Sequence, residues 1–254
     1  MPPTWQRSEV TLAPPACGED LDLAARFGVP VAATRDASVW QLLRSDGRLV
    51  LCSPLAMGAL QIRIDPDSGP FARRLRSSRR DEPLSRAVGL PKRQVAPSVV
   101  DATAGLCRDA MVLAHLGCRV IGLERVPALV MLAAAALQRS PLRQRLQVER
   151  ADATGWLLTQ PAAAAADVVY LDPMFDETGS AQVKKDMQAC RALAGPAADT
   201  AELLRAARQF AGQRVVVKRH SHQPPIAEDV SFRVDGKRVR FDVYLSDPAA
   251  APPR

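Results

Sequence analysis

SVVDATAGLCRDAMVLAHLGCRVIGLER, residues 98–125, decides the fold class. It opens on a short β-branched run, Val99-Val100, and passes through a loop containing Gly105. It continues as an apolar helix, Arg108 to Leu116, that Gly117 ends as a C-cap would. A second strand, Arg119 to Leu123, follows at once. Strand, glycine loop, helix and strand within one short stretch is the signature of a parallel βαβ unit. Downstream the alternation continues. Helices are expected over Pro127–Arg139, Gln182–Leu193 and Thr200–Ala211, and strands over Leu146–Val148, Asp167–Leu171 and Arg214–Val217. Two final strands, near Val230–Val234 and Arg240–Leu245, flank Asp235-Gly236 with no helix between them, which predicts an antiparallel edge. The run Ala162–Ala166 reads as a loop or helix end. The whole is an α/β fold with a mostly parallel seven-stranded sheet.

Upstream the texture differs. Residues 1–95 are punctuated by proline and hold short apolar runs at Val29–Ala33, Arg48–Cys52 and Leu60–Ile64, the last alternating as a half-buried strand does. They predict a small β-rich N-terminal domain, 1–95, ahead of an α/β domain at 96–254. Between Phe71 and Arg93 stand eight basic residues, Arg73, Arg74, Arg76, Arg79, Arg80, Arg86, Lys92 and Arg93, against only Asp81 and Glu82. That segment's net of +6 is most of the chain's +7, and charge so concentrated is a footprint for phosphates as well as a solvated face. Aromatic residues are only 4% of the chain, which argues against extensive base stacking. The five cysteines form no C-x-x-C pair, so neither a disulfide framework nor a zinc knuckle is expected, and no metal site is read from the spacing. No signal peptide and no apolar run of membrane-spanning length occurs, which fits a cytoplasmic protein.

Ligands of open α/β sheets bind at the carboxyl ends of the strands, and the chain places chemistry at four of them. After the first strand, Asp101 and Gly105 precede Arg108 and Asp109 at a helix N-terminus, where free N–H groups are available. G-x-G-x-x-G is absent, which counts against a nicotinamide-dependent oxidoreductase. After the second strand, Glu124 and Arg125 follow at about the twenty-residue distance at which an acid accepts from ribose hydroxyls. After the third, Asp152 and Ala153 offer an acceptor for an adenine amine, or only an N-cap. After the fourth comes Tyr170-Leu-Asp-Pro-Met-Phe175, in which Asp172, Pro173 and Phe175 resemble the D/N-P-P-Y/F motif of methyltransferases acting on exocyclic amines. Such an amine is conjugated into its ring. A carboxylate and a proline-fixed carbonyl can accept its two N–H groups and orient the nitrogen, while an aromatic ring stacks on the base. His115, His220 and His222 are read as surface or packing residues.

Taken in order, DATAGLCRDA (101–110), GCRVIGLER (117–125), VVYLDPMF (168–175), SAQVKKDM (180–187), RVVVKR (214–219) and RFDVY (240–244) resemble RsmJ, the bacterial 16S ribosomal RNA guanine-N2 methyltransferase family. IRIDPDSGPFARRLR and SRAVGL extend the likeness more loosely upstream. The resemblance implies a class I, Rossmann-like methyltransferase fold, S-adenosylmethionine as methyl donor, and methylation of N2 of guanine 1516 in 16S ribosomal RNA or the small ribosomal subunit. It also implies cofactor contacts from Arg108, Asp109, Glu124, Arg125, Asp152, Ala153 and Asp172. Lys218, in VVVKR, is assigned to RNA phosphate or base positioning, with Arg73, Arg74, Arg76, Arg79 and Arg80 on the RNA backbone. Two further readings stay open, another exocyclic base amine as target and a non-catalytic RNA-binding assembly factor. Cys107 stands where the family usually has glycine, and its thiol is expected to narrow the space for the methionine part of the cofactor.

Overall fold

A computed structural model describes residues 10–91, 93–173, 185–194 and 199–246. The N-terminal region runs β1 (Thr11–Leu12), α1 (Gly18–Phe27), β2 (Gln41–Ser45), β3 (Arg48–Cys52), β4 (Gln61–Ile62), α2 (Gly69–Arg76) and α3 (Pro83–Ala87). Its four strands form one small sheet in the order β1-β2-β3-β4. The expected strand at Val29–Ala33 is reduced to a single bridge from Val31 to Leu12, because Pro30 has no N–H to extend a ladder. The region is also more helical than its sequence suggests. Helix α1 buries Leu23, Ala24 and Phe27, and closes on Gly28 in the left-handed conformation.

From Ser98 the α/β pattern holds closely. The elements are β5 (Ser98–Asp101), α4 (Arg108–His115), β6 (Arg119–Glu124), α5 (Pro127–Gln138), β7 (Leu146–Arg150), α6 (Ala153–Thr159), β8 (Val168–Leu171), α7 (Lys185–Ala194), α8 (Thr200–Phe210), β9 (Arg214–His220), β10 (Phe232–Asp235) and β11 (Val239–Leu245). Helix α6 is not among the expected elements. Ala162–Ala164 is one 3-10 turn, and the expected start of α7 at Gln182 lies outside the described residues. The seven strands lie in the order β10-β11-β9-β8-β5-β6-β7. Pairing is parallel from β7 through β9, and β11 runs antiparallel to both β9 and β10. After β5 the chain winds outward through β6 and β7, then returns to β8 on the other flank. The reversal opens a crevice at the carboxyl ends of β5 and β8.

Strand alternation sorts the core onto two faces. Val99, Val168, Tyr170 and Val216 point to the side covered by α4 and α5. Val100, Val169, Leu171, Val215 and Val217 point to the side covered by α6 and α8. Helix α5, PALVMLAAAALQ, has no polar face, and residues 128–134 are all buried. A helix apolar all round must be covered on both sides. The sheet covers one side; α1 and β3 of the N-terminal region cover the other. One hydrophobic cluster therefore runs from Val10 to Val243 across both regions. Arg150 donates to the Phe27 carbonyl at 2.8 Å and Arg139 to the Gly47 carbonyl at 2.5 Å, which fastens the two regions at the surface. Among the described residues, no helix is long and apolar enough to cross a membrane.

Candidate active site

The loop after β5 is shaped by two left-handed residues, Gly105 at φ 51° and Cys107 at φ 55°. The first suits glycine; the second is strained for any side chain. Asp101, at the end of β5, accepts from the Thr103 N–H at 3.1 Å and is only 2% exposed. Burial pushes its carboxyl up to about 8; the Thr103 N–H opposes this, and the nearby Asp109 and Asp172 carboxylates add to it. The native chain then keeps a proton that the unfolded chain releases above about pH 4. Asp101 thus removes stability progressively as pH rises from there to about 8. Asp101→Asn retains the acceptor for Thr103 and abolishes that loss. Thermal unfolding midpoints of variant and wild type should coincide near pH 4 and diverge in the variant's favour towards pH 8; a pH-independent difference contradicts the assignment.

Cys107 does not narrow the site. Its side chain is 1% exposed and lies towards β6, where a Cβ on Gly122 would stand 3.7 Å from its sulfur. It is not among the residues that line the cavity. The left-handed backbone turns the thiol into the core, and burial pushes its pKa well up. Cys107→Gly, which relieves the left-handed strain, should leave S-adenosylhomocysteine affinity unchanged by calorimetry. A clear gain in affinity would restore the crowding idea.

Glu124 ends β6 with both oxygens anchored. Oε2 accepts from the Gly105 N–H at 2.9 Å and Oε1 from the Val126 N–H at 2.7 Å. Burial raises its pKa against these donors. A carboxylate oxygen has two acceptor sites, so each can still take a hydroxyl. Arg125 turns aside to hold the Ala194 carbonyl at the end of α7, 2.6 Å away. Asp152 caps α6 through the Gly155 N–H at 3.1 Å, with Ala153 opening the helix. The capping reading of Asp152 therefore holds, and the residue also lines the cavity.

The densest chemistry lies between β8, β9 and α4. The Lys218 Nζ donates to Asp109 Oδ2 and Asp172 Oδ2, each at 2.8 Å. The Tyr170 hydroxyl donates to the same Asp109 oxygen at 2.6 Å, and the Asp172 N–H to Thr103 Oγ1 at 2.6 Å. Burial works against the Asp109 anion, but the charge and hydrogen bond of Lys218 and the Tyr170 hydroxyl outweigh it and lower its pKa. Asp172 is pushed the other way, by burial and the neighbouring Asp109 charge against the pull of Lys218. For Lys218, burial is overcome by the two carboxylates, and its pKa rises. An ammonium held between two carboxylates is poorly placed to take an RNA phosphate, which weighs against that half of the sequence reading and leaves the other half, base positioning.

Asp101, Gly105, Arg108, Asp109, Glu124, Arg125, Asp152, Ala153, Asp172, Pro173 and Lys218 all line one cavity of about 370 Å³. That is within the usual size range for cofactor sites. Phe175 lies outside the described residues. The residues fit S-adenosylmethionine: Glu124 faces the cavity as an acceptor for a diol, Leu123, Leu129 and Leu203 supply apolar wall, and Asp109 and Asp172 supply negative charge for a sulfonium and an ammonium. Sequence reasoning missed Thr103 and Tyr170. Only Tyr170 carries a signal, since a tyrosine in a fully buried Val/Leu strand needs a partner for its hydroxyl.

The basic segment reaches the rim of this cavity. Helix α2 places Phe71 5.9 Å beneath the guanidinium of Arg108, the first residue of α4. The arginines differ in freedom. Arg80 donates to the Leu90 and Arg93 carbonyls, both at 2.9 Å, and so ties the segment together. Arg74 is paired with Glu82, and Arg79 with Asp81. Arg73 and Arg76 are exposed on α2 with no acidic partner among the described residues.

The family described as "Putative SAM-dependent methyltransferase" matches residues 22–246. The chain is 42% identical to ribosomal RNA small subunit methyltransferase J of Thioalkalivibrio sulfidiphilus, over 88% of this chain and 91% of that one. It is 40% identical to the protein of the same name from Chromohalobacter salexigens, over 91% and 95%. Among solved structures, a SAM-dependent methyltransferase from Neisseria gonorrhoeae superposes with a TM-score of 0.74 at 28% identity, covering 93% of this chain and 95% of that one.

Proposed function

The chain belongs to the ribosomal RNA small subunit methyltransferase J family of SAM-dependent enzymes, and from that premise we propose that it methylates the exocyclic N2 of a guanine in 16S ribosomal RNA, in the bacterial cytoplasm. The single observation that carries the reading is Asp172: a carboxylate at the carboxyl end of β8, on the cavity wall, held by its backbone to Thr103 and by one oxygen to Lys218. Its second oxygen is left for an amine N–H.

S-adenosylmethionine, when bound, supplies a methyl group already activated on a positively charged sulfur that leaves as a neutral thioether. The chain's task is positioning. Glu124 would hold the ribose hydroxyls of the cofactor and Asp152 its adenine amine. Asp172 Oδ1 accepts one N–H of the guanine amine, and the carbonyl before Pro173 accepts the other, which turns the nitrogen lone pair out of conjugation with the ring. As the N–C bond forms, N2 becomes strongly acidic, and its proton passes to Asp172 Oδ1 and on to water. No stronger base is needed. Arg73 and Arg76, exposed on α2, hold backbone phosphates of the RNA.

Deleting the coding sequence in its own host and digesting the host's 16S RNA tests the reading. N2-methylguanosine should vanish from the fragment that carries the target, return with the wild-type chain and stay absent with Asp172→Ala. An unchanged fragment would overturn the target, and loss of a different methylated nucleoside would move it to another base amine.

A further inference from the structure

Three carboxyl groups, Asp101, Asp109 and Asp172, converge on the cavity wall with one lysine among them. Strand alternation brings Lys218 there. It lies on the Val216 face of β9, the face covered by α4, and Asp109 stands in the first turn of that helix. The register Leu171↔Val217 sets Lys218 beside Asp172, one residue past the paired ends. Its ammonium spends two of its three N–H groups on Oδ2 of Asp109 and Oδ2 of Asp172. The Tyr170 hydroxyl fixes the Asp109 end of the bridge.

We infer that Lys218 is a positioning residue for methyl transfer, a charge clamp that bridges Asp109 and Asp172, keeps both ionised side by side, and engages Oδ2 of Asp172 so that Oδ1 is the oxygen presented to the target amine. The inference rests on the reading of Asp172 as the group that orients that amine. Two carboxylates sharing a site cannot both stay ionised at neutral pH without a cation between them; one keeps its proton. A protonated Asp172 would offer an O–H where the amine needs an acceptor. With Lys218 in place, and Asp101 protonated, the cluster carries one net negative charge, which suits a sulfonium cofactor. The charged and titratable groups that face it are Asp101 from β5, Arg108 and Asp109 from α4, Tyr170 and Asp172 from β8, His220 from β9 and Arg74 from α2.

The test is the titration of the aspartate carboxyls by carbon-13 NMR on the free enzyme, alongside the pH profile of kcat. In wild type, Asp101 is the carboxyl of this cluster that titrates near 8. Lys218→Met should add a second one near neutrality, and move the acid limb of kcat upward by about one pH unit or more. Lys218→Arg should restore the wild-type limb, and so should Lys218→Met combined with Asp109→Asn, because removing the like charge removes the need for the clamp. A merely structural lysine would give no such rescue. If Lys218→Met does not fold by circular dichroism, Asp109→Asn alone decides: it should shift the acid limb downward, and an unmoved limb overturns the clamp. An unchanged titration in Lys218→Met, with RNA affinity reduced and its salt dependence flattened, would also overturn it and return Lys218 to phosphate binding. Failure of wild type to methylate RNA would sink the methyltransferase reading alone, since the carboxyl titration is read without substrate.

Discussion

Asp172→Ala should lower kcat for methyl transfer by about 10²–10⁴-fold, the span usual for removing a group that positions and accepts a proton. S-adenosylhomocysteine affinity should change far less. The cofactor retains Glu124, whose two oxygens are fixed by the Gly105 and Val126 N–H groups, and the apolar wall at Leu123, Leu129 and Leu203. The amine loses the charged acceptor that turns its lone pair out of conjugation. The alanine also strands Lys218, which keeps only Asp109 as partner. Asp172→Asn retains the shape and an amide oxygen. Acceptors without charge form hydrogen bonds about half as strong, so its loss should lie between wild type and alanine. Single-turnover rates at saturating cofactor and RNA separate chemistry from binding. An alanine variant that turns over like wild type removes Asp172 from the mechanism.

The second large effect is expected at the rim. Replacing Arg73 and Arg76 together with glutamate should weaken RNA binding at physiological salt by about tenfold or more, and reduce the slope of log affinity against log salt by about two, one for each phosphate no longer neutralised. These two arginines are exposed on α2, the helix that carries Phe71 to Arg108. The variant should still bind S-adenosylhomocysteine. The same replacement at Arg80 is a different experiment, because its guanidinium holds the Leu90 and Arg93 carbonyls and its loss disturbs the fold of the segment. An unchanged salt slope in the double variant would take α2 out of the RNA interface.

The α/β part was legible because its strands are short runs of valine and leucine with punctuation at both ends. Val99-Val100, Val168–Leu171 and Val215–Val217 are buried on both faces and cannot be confused with loops. The cavity was legible for the same reason: in a sheet of this winding, whatever follows each parallel strand meets at one end. Asp101, Glu124, Asp152 and Asp172 follow four successive strands and line one cavity. What sequence could not show is pairing between distant residues. Lys218 and Asp109 are 109 positions apart, and only the order of β5, β8 and β9 brings them together. Read locally, a lysine in VVVKR looks like a phosphate ligand; read in the fold, it is a counterion to two carboxylates. Cys107 misled for a related reason. Its place in the loop is visible, but the left-handed φ that turns its sulfur into the core is not. The N-terminal region was least legible. Its strands are two to five residues long, and they are ordered by covering the apolar α5, which lies far ahead in the chain.

The most direct test of the account is methyl transfer from labelled S-adenosylmethionine to small ribosomal subunits, and separately to naked 16S RNA, purified from cells that lack the modification, followed by nuclease digestion and nucleoside mass spectrometry. Label is expected in N2-methylguanosine with the wild-type chain and none with Asp172→Ala. Label confined to another nucleoside, or wild-type and Asp172→Ala chains that label alike, would contradict it.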